Sequence, residues 1–511
     1  MPKILCLSLF LYVCTFNCIA NNDKNKNVIP ANNQQLNYVN VLFSFNKIDS
    51  AQAYLLCIWE DSITTTPNYD ACKNYNIDTT ELIIENLNWG KNYTWQYMAF
   101  VNKKLKYVSD KFYFSTLKSP FIDSTKHKLV VHKNTSNVAQ NSFILNDYSQ
   151  NLVTRNGKPV WYLRTDKFVK KSNFRIRDVN FTPQGTVTFM TDSNAYESTL
   201  DGKILWKALN NGLVSGEKME YYHHDLQKLP NGNYMILSCK YIERKIGNKT
   251  IDTCEWHTEK NVHLKGKNYY AKVRYGTVIE YNPQGKVVWT WCANSYFKKA
   301  ELFCNKTILG EHLPNAHMNS FNQSKDGKYV YVGFRDYSRI IKIKKQNKKV
   351  VDSWGLTMLD KKPRKSHGNF CNQHACTLIE GDKIAVLNND SVILKNNLAS
   401  SVVIINEKDG SVDWKFNLGF DTLCNGKASV MGYVQALPNK NLFVCMGQAG
   451  RMLEVTPNKE VVWDSFQTTY IPKTKKMENA PVYRARVVYD MYPTHARTTH
   501  VDYATPKIIR K

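Results

Sequence analysis

Apolar and polar residues alternate along most of the chain in short runs such as TVTFM, NYMIL, KYVYV and KIAVL, and apolar spacing of three or four residues is scarce. A period of two puts every second side chain on the same face of a sheet, so these runs predict half-buried strands and an all-β chain. Between the runs, a turn leading into an apolar pair and a tryptophan recurs: NGKPVW ending at Trp161, DGKILW at Trp206, QGKVVW at Trp289, NKKVVDSW at Trp354, DGSVDW at Trp414 and NKEVVW at Trp463. Six copies, spaced irregularly by roughly 45 to 80 residues, suit the blades of a β-propeller, each a four-stranded sheet whose loops accept insertions. A second turn class interleaves with the first, in TPQGTVTFM, LPNGNYMIL, SKDGKYVYV, IEGDKIAVL and LPNKNLFVC. Two hairpins per blade is what a four-stranded blade requires.

Residues 28–117 lie outside this repeat. They carry alternating runs separated by polar turns, and YTWQYMAFV followed by KFYFSTL resembles the late strands of a fibronectin type III β-sandwich. The expected organisation is therefore an N-terminal β-sandwich over 28–117, a linker over 118–128 with Ser-Pro and Asp-Ser-Thr composition, and a six-bladed β-propeller over 129–511. Ahead of them, MPKILCLSLFLYVCTFNCIA has one lysine, an apolar run from Ile4 to Phe16 and a small-x-small ending at Ala20. That pattern predicts a signal peptide over residues 1–20, and hence export. No later stretch is long and apolar enough to span a bilayer.

Three of the 13 cysteines fall in the leader, leaving an even number for an oxidising compartment. The clustering of Cys57/Cys72, Cys239/Cys254, Cys292/Cys304 and Cys371/Cys376 suggests short-range disulfides, with connectivity left open. The net charge of +26, mostly dispersed lysine, favours anionic partners through long-range attraction. No nucleic-acid-binding motif accompanies it, and nucleic acid is not expected as a partner.

If the second turn class marks equivalent hairpins, residues at a fixed distance before each turn occupy equivalent places. Eight back from Gly232 is His224, from Gly327 Asn319, from Gly185 Arg177 and from Lys440 Gly432; seven back from Gly381, where the turn is shorter, is His374. His317, two residues before Asn319, would share its strand face, and Arg335 returns on the neighbouring strand. His224, His317, Asn319, His374, Arg335 and Arg177 are thus expected to converge on the propeller axis from different blades. Such a set binds a tetrahedral oxyanion: arginine offers a planar fork of donors, and imidazole can donate, accept or attack. It points to an anionic substrate and to covalent catalysis through histidine. Three histidines could also hold a catalytic zinc, but the chain lacks HExxH and the nearby arginine would repel a cation. No matched carboxylate pair for glycoside hydrolysis occurs in the register.

YYHHDLQKLPNGN, HMNSFNQSKDGKYVYVGFRDYSRIIKI, NQHACTLIEGDKIAVLNND and MGYVQALPNKNLFVCMGQAGRMLEVTPNKEVVW resemble, in order, the signatures of the bacterial arylsulfate sulfotransferases, PAPS-independent enzymes of the periplasm. The similarity covers most of residues 130 to 490. It implies a six-bladed propeller preceded by a β-sandwich. It also implies transfer of a sulfuryl group from a phenolic sulfate donor to a phenolic acceptor by a ping-pong route through a sulfohistidine. On this resemblance His374 is the nucleophile, and His224, His317 and Arg335 surround the sulfuryl oxygens and the bridging phenolic oxygen. Asn319 helps orient the group, and Arg177 joins the substrate-binding set by register. No metal or other cofactor is implied, because the donor ester already carries the activated group. The location implied is periplasmic, and a homodimer through the sandwich is suggested. The HHD triplet leaves His223 and His224 both open, with the register favouring His224. Asn388-Asn389-Asp390 stands where relatives commonly carry an Asp-Asn-Gly turn, which puts the acceptor pocket in question. The tail YDMYPTHARTTH either closes the last blade or reaches the channel mouth. The competing reading is a catalytically silent propeller that binds a sulfated or other anionic ligand.

Overall fold

The computed structural model describes residues 28–60, 72–121, 127–167, 176–191, 194–246, 262–297, 317–356, 365–366, 368–389, 400–424, 428, 430–493 and 495. The expected leader, and the members Cys254 and Cys304 of two expected cysteine pairs, lie outside these residues. Strands make up the described chain, interrupted by single 3-10 turns such as Thr165–Lys167, Ala293–Ser295 and Gly447–Ala449. Among the described residues no helix is long and apolar enough to cross a membrane.

Six sheets built on four antiparallel strands each form the blades. From the innermost strand outward, the second blade is Arg177–Phe181, Val187–Met190, Ala195–Ser198 and Ile204–Lys207. The third is Leu226–Lys228, Tyr234–Ile246, Asn268–Tyr281 and Val287–Cys292, with Val262–Lys265 added beside the long third strand. The fourth is Met318–Gln323, Tyr329–Phe334, Arg339–Lys344 and Lys349–Gly355, and the fifth is His374–Ile379, Lys383–Asn388, Ser401–Asn406 and Val412–Asn417. In the sixth blade, Tyr433–Ala436, Leu442–Met446, Arg451–Val455 and Val461–Ile471 are followed by two edge partners, Lys476–Asn479 and His127–Asn134. The first blade is mixed in origin: Phe143–Asn146, Asn151–Thr154 and Pro159–Tyr162 take Ala485–Val488, from the far end of the chain, as their innermost strand. Each blade packs on the next and the sixth packs on the first, so the ring is closed.

This closure explains the turn counts. The tryptophan turn precedes the fourth strand of all six blades, whereas the second turn joins the two inner strands and is missing from the first blade, where that connection does not exist. The tryptophans also hold the ring. Indole N–H groups of Trp161, Trp289, Trp354, Trp414 and Trp463 donate to the carbonyls of Leu200, Lys345, Glu407, Pro457 and Arg155, each in the outer hairpin of the following blade. Trp206 differs, stacking on Tyr234 of the third blade with ring centroids 3.7 Å apart.

The N-terminal residues form two sheets. One contains Gln34–Leu36, Phe112–Thr116, Asn92–Val101, Ala53–Glu60 and Lys73–Ile77, with Lys104–Val108 paired to Asn92–Val101; the other pairs Val41–Ser44 with Glu81–Ile84. Both contribute to one apolar cluster, around Trp95, Tyr97 and Phe43, that continues into Trp161, Phe189 and Tyr492. The tail turns here too: the Tyr492 hydroxyl donates to the Asn40 carbonyl, and His495 approaches Glu81.

Candidate active site

The inner strands begin at one end of the ring, and their first residues take an uncommon backbone. Asp178, His224, His317, Ala375 and Met431 have φ between +48° and +70°, a region side chains other than glycine seldom occupy. In the second, fourth and fifth blades the ladder slips at the same place, at Arg177/Asn180, Met318/Ser320 and His374/Cys376. Such bulges re-aim side chains.

Here they aim them at the neighbouring blade. Asp147 of the first blade accepts the N–H groups of Asp178 (2.7 Å) and Val179 (2.9 Å). Asp178 accepts that of Leu226 (2.7 Å), and Asp225 that of Phe321 (3.2 Å). The Asn319 amide then donates to the Gln373 carbonyl (2.8 Å), and His374 Nδ1 lies 3.0 Å from the Gly432 carbonyl. One step along the strands a second series repeats the device: Gln227 to Phe321, Asn322 to Cys376, Thr377 to Val434 and Gln435 to Val487, side chain to carbonyl. Beneath the histidines the closing segment inserts two buried cations. Arg484 pairs with Asp178 (2.9 Å) and Asp225 (3.0 Å) and donates to the Asn319 carbonyl, while Arg486 pairs with Asp178 (2.7 Å).

On this base the candidate residues meet. The His224 ring lies 5.5 Å from His317 and 5.9 Å from His374, centroid to centroid, and Tyr483 stands edge-on to His374 at 5.7 Å. These rings come from the third, fourth and fifth blades and from the closing segment, so they meet across the axis. His317 Nδ1 is 3.1 Å from Asp336 Oδ2, and the other oxygen of Asp336 pairs with Arg335 at 2.9 Å. Arg335 is therefore coupled to His317 through one carboxylate, and its own N–H donates to the His317 carbonyl. His223 sits behind His224: its Nδ1 is 2.8 Å from His224 Nδ1, and its Nε2 is 3.1 Å from the Ser238 carbonyl. Arg177 begins the inner strand of the second blade, half-buried, with its charge felt by His223 and Tyr483. Asn319 is fully buried, its amide nitrogen committed to the seam with the fifth blade.

Electrostatics favour neutral imidazoles. Burial, followed by the charge of Arg484, holds His374 well below the ordinary imidazole value. His224 is lowered by burial and then by His223, His317 and His374, and His223 by burial and Arg274. For Asp336 burial pushes upward, but His317 and Arg335 outweigh it and keep the carboxyl below its usual range. The expected disulfides Cys57–Cys72 and Cys371–Cys376 are not formed; the cysteines flanking His374 are buried thiols, Cys376 packing in the apolar cluster of Trp354 and Phe370 and Cys371 Sγ accepting from the Ser338 hydroxyl.

The strand-face rule does not account for His317, which precedes its strand with a left-handed backbone while the ladder slips around Asn319. What aims it is Asp336. Sequence reasoning also passed over Tyr483 and Arg484, because the closing segment carries no turn repeat to place it. Asp225 and Asp336 stood one residue from named candidates, in HHD and FRD.

A closed propeller that gathers imidazoles and guanidinium groups at one end of its axis defines a site for chemistry on an anionic group. Sequence models of the arylsulfotransferase (ASST) family match residues 210–468 and 101–257. The first alone spans about half of the sequence, and the chain belongs to the arylsulfotransferase family; it is a sulfotransferase of phenolic substrates. No curated protein matches it. Similar solved structures include a protein of unknown function from Bacteroides caccae (15% identity, covering 72% of this chain and 100% of that one, TM-score 0.40). A catalytically inactive virginiamycin B lyase from Staphylococcus aureus gives 10%, 61%, 86% and 0.32 for the same measures, and a periplasmic gluconolactonase from Pseudomonas aeruginosa gives 10%, 85%, 99% and 0.29. At such scores these likenesses carry no weight for the site.

Proposed function

We propose that the enzyme moves a sulfuryl group from a phenolic sulfate ester to a second phenol by a ping-pong route, with His374 as the nucleophile that carries it. The observation behind this reading is the contact between His374 Nδ1 and the Gly432 carbonyl. A carbonyl only accepts, so Nδ1 holds the ring proton and Nε2 the lone pair. Burial and Arg484 keep the ring neutral, which is the form that attacks.

In the first half-reaction Nε2 forms a bond to sulfur as the bridging S–O bond breaks, and that electron pair leaves on the phenolate oxygen. Sulfuryl transfer of this kind has a loose transition state, so the protein chiefly positions the partners and offsets charge on the oxygens. Arg335, tied to His317 through Asp336, is the donor we assign to those oxygens, with His317 beside it and Arg177 as a further cation for an anionic donor. In the second half-reaction the acceptor oxygen takes sulfur from His374, whose nitrogen recovers its pair. The apolar run from Ile4 to Phe16, read as a signal peptide, supports export and a periplasmic site of action.

Mass spectrometry of protein mixed with a chromogenic phenyl sulfate tests the covalent route. The expected result is one sulfuryl adduct on His374 that disappears when phenol is added. An unmodified His374 during turnover would overturn it.

A further inference from the structure

His223 was the residue that sequence reasoning could not separate from His224, and their contact gives it a task. The Ser238 carbonyl, 3.1 Å from His223 Nε2, can only accept, so that nitrogen carries the proton of His223. Burial and Arg274 keep His223 neutral, which leaves its Nδ1 with a lone pair. At 2.8 Å from that lone pair, His224 Nδ1 must donate. The neutral His224 ring then has its own lone pair on Nε2, the nitrogen turned away from His223.

We infer that His223 is a positioning residue: by fixing the proton of His224 on Nδ1, it presents Nε2 as the acceptor for the proton of the incoming phenol. The inference rests on the covalent route proposed above and adds the fate of the proton. In the second half-reaction the phenol O–H bond breaks with its proton passing to His224 Nε2. The oxygen pair forms the new O–S bond, and the S–N bond breaks with its pair returning to His374 Nε2. The imidazolium so formed keeps its Nδ1–H bond to the neutral His223, and its Nε2–H can protonate the phenolate leaving from the next donor.

The groups around this pair favour such a cycle. His224 faces His317 from the fourth blade, His374 from the fifth and Arg484 from the closing segment, and the Tyr483 hydroxyl donates to its carbonyl. His223 faces Arg274 of its own blade, Arg177 of the second and His317. Apart from the neutral Tyr483 these neighbours are imidazoles and arginines, so a proton on His224 is quickly given up again. Its tautomer is set by His223 alone, since no other acceptor is within hydrogen-bond distance of His224 Nδ1 among the described residues.

The test compares two acceptors in variants of the full-length enzyme: phenol, which must lose a proton, and a nitrophenol already ionised at the assay pH. His223→Leu removes the acceptor for His224 Nδ1, whereas His223→Gln supplies a donor and an acceptor on one planar group. Losing the partner that fixes a working imidazole's tautomer is expected to cost about 10- to 100-fold or more. Transfer to phenol should fall by that factor in His223→Leu, transfer to the nitrophenolate should fall far less, and His223→Gln should recover most of the phenol rate. Equal losses for both acceptors, or an unchanged phenol rate in His223→Leu, would refute the assignment. The sulfuryl adduct on wild-type His374 is measured separately, so a failure of the covalent route is told apart from a failure of the role given to His223.

Discussion

Asp147 accepts two backbone N–H groups from the second blade, yet burial, reinforced by the nearby Asp178 charge, raises its pKa to about 7. A carboxyl with a folded pKa above its unfolded value of about 3.9 binds protons more tightly when folded. Its contribution is complete below the unfolded value and is lost as pH rises through about 7. Replacing it by asparagine removes that dependence. The melting temperature of the wild type, taken relative to Asp147→Asn, should therefore fall between pH 5 and pH 8, by on the order of a few degrees. The buried neutral histidines act in the opposite direction, their stability being lost as pH drops below about 6.5, but they are common to both proteins and cancel. A constant difference across the range would show that Asp147 stays charged. At this scale the sequence was a partial guide. His224 and His374 were legible because turn spacing sets strand register, whereas His317 was named as a strand-face partner of Asn319, a rule that its left-handed backbone does not follow. The carboxylate behind His317 and the imidazole behind His224 were not, because left-handed residues and bulges at the strand starts break the alternation that register depends on.

The tryptophan repeat shows how one element is tied to the next. Five of the six indoles donate to a carbonyl of the following blade, and Trp206 stacks on Tyr234 instead. Trp463→Phe should cost about 1 kcal/mol for the bond to the Arg155 carbonyl, over and above the lost contact area that Trp206→Phe also suffers. Denaturant midpoints of the two variants, at matched slopes, would measure the difference. Equal costs would mean that packing alone holds the outer seams. These elements were the most legible part of the molecule: both turn classes fall at real hairpins, and the missing sixth copy of the second class was itself a sign of the closure.

For the whole molecule, the ring is shut by a strand that brings Arg484 and Arg486 into its axis. Arg484 is fully buried between Asp178 and Asp225, and although burial opposes its charge, the two carboxylates outweigh that and push its pKa upward. Removing one partner strands the other charges. Arg484→Leu should destabilise by about 3–5 kcal/mol, and adding Asp225→Asn should restore part of it. A double variant no more stable than the single one would contradict this account. None of this was visible beforehand, since the closing segment resembles no other blade and its meaning depends on a partner more than 300 positions away.

His374 belongs to that ring as well as to the reaction. One of its nitrogens is spoken for by the joint with the sixth blade, and only the other is left over for sulfur. The usual alanine replacement would delete both functions together, and its silence would be ambiguous. Asparagine, whose amide nitrogen occupies roughly the position of Nδ1 but offers no second nitrogen, would leave the joint fastened and the enzyme unable to be sulfated.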